Sequence, residues 1–195
     1  MARPLEFDRN AAVEAAMKLF WRQGYAATSL SQLLDVMDIG RSSFYAAFTD
    51  KRSLYVEALT LFADRTRAML DDACAADESI EAIRRFFYAT LFDVPEARLR
   101  NGCLMINTLL ELADVDADLS DLAARKLGEV QSGFEACIAR AVESGRLDTN
   151  RLPRELAEFV MLVNQGLRVA SRRRTSKREL KRAVDTVMSL LGAAR

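Results

Sequence analysis

The stretch SLSQLLDVMDIGRSSFYAAF, residues 29–48, decides the fold. Leu30, Leu33, Leu34 and Met37 recur at helical spacing, and Ser29-x-x-Gln32 is a capping-box signature just before them. A second short helix is expected over about Arg41–Phe48, where Phe44 and Phe48 sit one turn apart. Asp38-Ile39-Gly40 separates the two, with glycine expected at the tight point, which is the length and turn chemistry of a helix-turn-helix. On the second helix the 100° step turns Phe44 and Phe48 inward. Ser42 and Ala46 then face outward, flanked by Ser43 and Tyr45. Such a small, polar face can approach a DNA major groove closely.

Outward from this stretch the helical period persists. Val13, Ala16, Met17 and Phe20 mark a preceding amphipathic helix stopped by Gly24, which can cover the backs of the pair. Lys51 to about Ala73 reads as one long helix, and further helices are expected near 78–93, 102–113, 117–144, 153–171 and 177–192. Pro153 suits a first helical position, and Ser176-x-x-Glu179 is another capping box. The fold class is therefore all-α, with about nine helices and no strand. Eight Gly and three Pro in 195 residues are too few for the many turns of a sandwich or barrel.

Composition excludes several chemistries. There is no His, which removes Ser-His-Asp and Cys-His catalysis along with His-ligated zinc, haem and non-haem iron. Cys74, Cys103 and Cys137 form no C-x-x-C pair and leave an odd one over, so neither a disulfide framework nor a Cys₄ metal site is expected. No Gly-rich phosphate loop occurs, and Asp71-Asp72 diverge on a helix and make a poor acid–base couple. The reading is thus of a non-enzyme without metal or cofactor. Met1 to Arg9 lacks the apolar core of a signal peptide, and no segment approaches the roughly 20 apolar residues of a membrane span. A cytoplasmic protein is expected.

Charge gives a weaker signal. Acids and bases balance at 28 each, and residues 1–52 hold seven bases against six acids. A monomer would bind DNA poorly on that basis, whereas two linked copies multiply affinity. Arg41, Lys51 and Arg52 do lie at or just beyond the reading helix. Two blocks stand out elsewhere. One is basic, from Arg168 through Arg172, Arg173 and Arg174 to Arg182; the other is acidic, with Glu111, Asp114, Asp116, Asp118 and Asp121. Each is expected as a solvated loop, with mutual pairing or DNA-phosphate contact as alternatives.

The run Ala15-Ala16-Met17-Lys18-Leu19-Phe20, then Gly24-Tyr25, Thr28-Ser29-Leu30 and Ile39 through Phe48 with Lys51 and Leu54, resembles the DNA-binding region of the TetR family. The resemblance implies a three-helix DNA-binding domain over residues 1–52. A larger ligand-binding and dimerising domain would follow over 53–195. It implies phosphate contacts by Thr28, Tyr45 and Lys51, with Ser42, Ser43 and Ala46 on the reading face. Arg41 is the candidate base reader, because its fork matches guanine O6 and N7, with a phosphate contact or a solvated turn position as the alternative. The expected partners are a near-palindromic double-stranded operator, a second copy of the chain and a small-molecule inducer, with no membrane. Asp38, Gly40 and Ala46-Ala47 depart from the family's usual residues there, which affects operator sequence and not the fold.

Beyond residue 75 an apolar and lightly polar set could line the inducer pocket: Phe87, Leu91, Cys103, Met105, Leu109, Phe134, Met161, Asn164 and Gln165. Core packing is the simpler account of any one of them. Phe159, Leu162, Val163 and Gly166 on one helix, with Val184, Val187, Met188 and Leu191 on the last, form the expected dimer stripe. Cys103 lies near the start of its helix, as in family members that sense electrophiles, and a helix N-terminus favours thiolate. A helical small-molecule-binding or scaffold protein with an idle helix-turn-helix is the alternative.

Overall fold

The computed structural model describes residues 7–77 and 80–192. It contains nine helices of seven residues or more and one four-residue turn of helix: α1 (Arg9–Gln23), α2 (Leu30–Met37), α3 (Arg41–Ala47), α4 (Lys51–Ala76), α5 (Glu81–Leu91), the short α6 (Glu96–Leu99), α7 (Leu104–Leu112), α8 (Ala117–Glu143), α9 (Pro153–Arg172) and α10 (Lys177–Leu190). No strand occurs among the described residues. Much of the leader reading at Met1–Arg9 lies outside those residues, as does the start of the helix expected from 78.

Local chemistry sets the boundaries. Asp8 caps α1 by accepting from the amides of Asn10 and Ala11. Gly24 ends it at φ +90°, a backbone state that L side chains rarely adopt. Ser29 and Gln32 form the expected reciprocal cap of α2, and Ser176 with Glu179 that of α10. The turn between α2 and α3 differs from expectation. Its left-handed residue is Asp38 at φ 52°, while Gly40 is extended and precedes α3 as N-cap. A short polar side chain such as aspartate tolerates this conformation, so the turn does not need glycine at its tight point.

The chain forms two compact units. One comprises the residues up to Asp64 together with Leu104–Ala124; the other comprises Arg65–Cys103 and the chain from Arg125 on. The first therefore joins the helix-turn-helix to α7 and the start of α8, which are remote in sequence. Its core stacks Phe20 edge-on against Tyr55, with centroids 4.8 Å apart, and Tyr25 against Tyr55 at 4.8 Å. Trp21, the single tryptophan, packs on Phe62 at 4.8 Å. Tyr55 and Thr108 share a buried 2.8 Å hydrogen bond, and burial pushes the Tyr55 phenol up to about 12 while that bond pulls the other way.

The second unit is built on aromatic and aliphatic packing. Phe86 meets Phe134 at 5.3 Å, and Phe87 lies 6.1 Å from Phe86. Cys74 and Cys137 form a disulfide, contrary to the expectation of unpaired thiols; their Cα atoms are 5.8 Å apart, within the range a disulfide spans. The reason is helix register. Gly133 sits where a Cβ would come within 2.6 Å of Leu70, so α8 can close on α4 there. One turn further along both helices, Cys137 then meets Cys74.

Candidate functional site

On α3 the residues divide as the 100° step requires. Phe44 and Phe48 are buried, and Arg41, Ser42, Tyr45 and Ala46 are exposed, with Ser43 half-buried at the flank. Tyr45 stands edge-on to Phe44 at 5.3 Å and is 53% exposed, so the ring is braced while its hydroxyl end is left to solvent. Arg9 lies over the Phe48 ring at 4.8 Å and also pairs with Glu57 at 2.7 Å, bracing the helix from behind. Gly40 has open space around it, so the entrance to α3 is unobstructed.

Two expected phosphate binders are less open. Thr28 is buried, and its hydroxyl donates to the Gly24 carbonyl at 2.6 Å. Lys51 holds its ammonium 4.4 Å from the centre of the Tyr25 ring, and burial lowers its pKa while the Glu111 charge opposes that shift. Burial likewise raises the Tyr25 phenol.

The acidic block does work that its sequence did not reveal. Glu111, from α7, accepts from the amides of Tyr25 at 3.0 Å and Ala26 at 2.6 Å, holding the loop between α1 and α2. Gly24 leaves room for it, since a Cβ there would lie 2.6 Å from the Glu111 carboxylate. Arg52 forks onto Asp116 at 2.8 and 3.0 Å and reaches Asp118 at 3.0 Å. These hydrogen bonds hold the Asp116 carboxyl below its usual range and the Arg52 guanidinium above its own. Glu111 and Asp116 thus serve the helix-turn-helix from half-buried positions, and Asp118 adds an exposed contact to the same arginine; the partners of all three lie there and not in the Arg172–Arg174 zone. A carboxylate cluster facing lone bases in a distant helix-turn-helix was the available signal, but its partner could not be read from spacing.

In the second unit Phe87, Leu91, Cys103, Phe134, Met161 and Asn164 are buried and Gln165 is half-buried; Met105 and Leu109 belong to the first unit. Cys103 directly precedes α7 and is buried outside the disulfide. Arg100, three residues before it, donates to the carbonyls of Ser171 and Thr175 and pairs with Glu96. Arg168, expected in the solvated basic zone, is buried at 8% exposure. The dimer stripe also divides. Phe159 and Leu162 are exposed at 38% and 67%, Gly166 is exposed, and Val163 is half-buried. Val184, Val187, Met188 and Leu191 are buried within the chain itself, because α10 turns its apolar face toward its own core. Val169 on α9 and Leu190 on α10 are exposed as well.

The sequence pattern of the bacterial regulatory proteins of the tetR family matches residues 12–58, and that of the tetracyclin repressor-like C-terminal domain matches 79–187. The chain belongs to the TetR family. It is a DNA-binding transcriptional regulator and not an enzyme. The HTH-type transcriptional repressor ComR of Escherichia coli (strain K12) is 28% identical over 190 residues, 96% of this chain and 90% of that one. The uncharacterised HTH-type regulator YezE of Bacillus subtilis (strain 168) is 28% identical over 149 residues, covering 76% and 77%. Among solved structures, a cysteine-substituted TetR-family regulator CifR, complexed with a 26-base-pair operator duplex, superposes with a TM-score of 0.81 at 28% identity, covering 99% of this chain and all of that one. The reduced form of E. coli NemR shares the fold, with a TM-score of 0.84 at 18% identity over 95% and 98% of the two chains. No helix among the described residues is long and apolar enough to cross a membrane.

Proposed function

We propose that the protein is a cytoplasmic, homodimeric repressor, released from a near-palindromic operator by a small molecule or electrophile. The observation that carries this reading is the outward face of α3, where Arg41, Ser42, Tyr45 and Ala46 stand exposed over a braced aromatic back. A helix with that face can enter a major groove, and two of them across a two-fold axis address half-sites about 34–36 Å apart or a multiple of that. The DNA-bound CifR structure and the repressor ComR support it by likeness. In this reading residues 1–52 read the operator and 53–195 bind the inducer and the second copy, with Phe159, Leu162, Gly166 and Val169 of α9 available for the dimer contact. Inducer acts only through different affinities for the DNA-competent and DNA-incompetent forms.

The test is operator selection from a random duplex pool with purified protein, followed by two variants. Arg41→Ala should weaken selected operator more than random duplex, while Lys51→Ala should weaken both by a similar factor. Equal losses for Arg41→Ala would remove it as a base reader, and no salt-dependent duplex binding at all would favour the scaffold alternative. For the electrophile route, Cys103→Ser should abolish release by an alkylating agent.

A further inference from the structure

Arg168 is the one charged residue among the described residues that are buried. It lies on the inward side of α9, nine-tenths buried. Its Nε donates to Asn164 Oδ1 at 3.4 Å, and one terminal nitrogen donates to the Thr90 carbonyl at 2.9 Å. Both acceptors are neutral. A guanidinium carries five N–H donors, so most of its fork is unused, and no carboxylate among the described residues pairs with it. Burial pushes its pKa down, and the Cys103 thiol is the single ionisable group acting against that shift. Arginine nevertheless keeps its proton, so the charge must stay where it is. The partial charge of the α5 C-terminus offsets part of it, but burial without a full counter-charge is costly.

The neighbouring carbonyls are a poor substitute for an anion. Thr90 lies in the last turn of α5, whose end also receives the Lys177 ammonium at the carbonyls of Phe92 and Val94. Asn164 has spare capacity as well. Its Nδ2 is directed at the Met161 sulfur at 3.9 Å, a weak acceptor. The group around these polar atoms is apolar: Leu91 follows Thr90 and is fully buried, Phe86 and Phe87 lie one turn before it, and Met161 is buried.

Building on the regulator reading above, we propose that Arg168 anchors the effector in the second unit, and that the effector is a small organic acid with an apolar or aromatic body and a single carboxylate. The two carboxylate oxygens match the guanidinium fork, and the Asn164 amide can turn its N–H from sulfur to the same group. One buried cation calls for one negative charge, which favours a monocarboxylate over phosphate. The apolar surroundings suit the ligand's body.

The test uses the full-length wild-type protein, with benzoate and octanoate set against benzamide and octanamide, and inorganic phosphate as a third arm. At least one carboxylate should raise Tm by about 5 °C or more when present at a hundredfold excess over its Kd, and should dissociate the operator complex. Its amide and phosphate should leave Tm within about 1 °C. Arg168→Met should erase the carboxylate shift and Arg168→Lys should retain part of it. The inference is overturned if no carboxylate shifts Tm, if amide or phosphate does as well, or if Arg168→Met responds like wild type. Should Arg168→Met not fold, the wild-type contrast between acid and amide still decides. Duplex binding is measured separately without effector; its absence would defeat the regulator reading while leaving the Tm contrast intact.

Discussion

The two compact units are held by different physics. In the first, the aromatic core around Tyr55 and Trp21 is joined by long-range polar ties that rest mostly on carboxylates: Glu111 on two loop amides and Arg52 on Asp116 and Asp118, with Tyr55 and Thr108 as a neutral pair. In the second, Phe86, Phe87 and Phe134 form one cluster, Cys74 is joined to Cys137, and the polar ties of Arg100, Arg168 and Lys177 end on backbone carbonyls. The contrast teaches that the half carrying the DNA-reading helix should respond to acid and salt, while the other half should respond to cavities and reductant. Trp21, the single tryptophan, lies in the first unit, so its fluorescence separates the two responses.

The largest effect is expected from Phe134→Ala. This ring is fully buried between Phe86 and Phe87, and truncation should cost about 3–5 kcal/mol in denaturant unfolding followed by circular dichroism. Reducing the Cys74–Cys137 disulfide should come next, at about 2–4 kcal/mol, because it releases a loop with a sequence separation of 63. In both cases the Trp21 transition should move less than the circular dichroism transition. Coincident shifts would show that the units unfold as one and would dissolve the contrast.

Smaller effects should appear in the first unit. Glu111→Ala strands the Tyr25 and Ala26 amides and should cost about 1–3 kcal/mol, read by Trp21 fluorescence. Acid should act through Asp116. Its folded pKa lies below the ordinary aspartate value, so its contribution is fully present above about pH 4 and is lost as pH falls through the depressed folded value. Titration from pH 5 to 2 should therefore loosen the Trp21 environment, and 1 M salt at neutral pH should weaken the Arg52 cluster slightly. An Asp116→Asn variant with an unchanged acid response would assign that response to another carboxylate.

What was legible in the sequence was mostly local. Ser29 with Gln32, Ser176 with Glu179, Pro153 and Gly24 each mark a helix end through neighbours three or four residues away, and the faces of α3 follow from periodicity alone. The sites that escaped depend on distant partners. Glu111 lies 86 residues from Tyr25, and nothing in the acidic block specifies which amides it will hold. Arg168 looked like one more base in a basic run, yet periodicity places it one turn beyond Asn164 on the inward side of α9. Val184 and Met188 form a stripe whether that stripe faces a second copy or the chain's own core, and periodicity cannot choose between them. Asp38 shows the limit of turn chemistry, because two residues in one short turn could each have taken the left-handed state.

The discontinuous first unit has a consequence for synthesis. Its opening segment ends at Asp64, but α7 and the start of α8 belong to it, and Arg65–Cys103 is made in between. As the chain leaves the ribosome, the DNA-reading helices emerge first, yet the amides of Tyr25 and Ala26, the Tyr55 hydroxyl and the Arg52 fork must wait for their partners. At about 5–20 residues per second that interval lasts several seconds. During it, the opening segment of the other unit, Arg65–Cys103, has been made without its remainder. The regulator's nascent head is thus exposed in an unfinished form, and nascent chains stalled before and after residue 124 should differ in their resistance to protease.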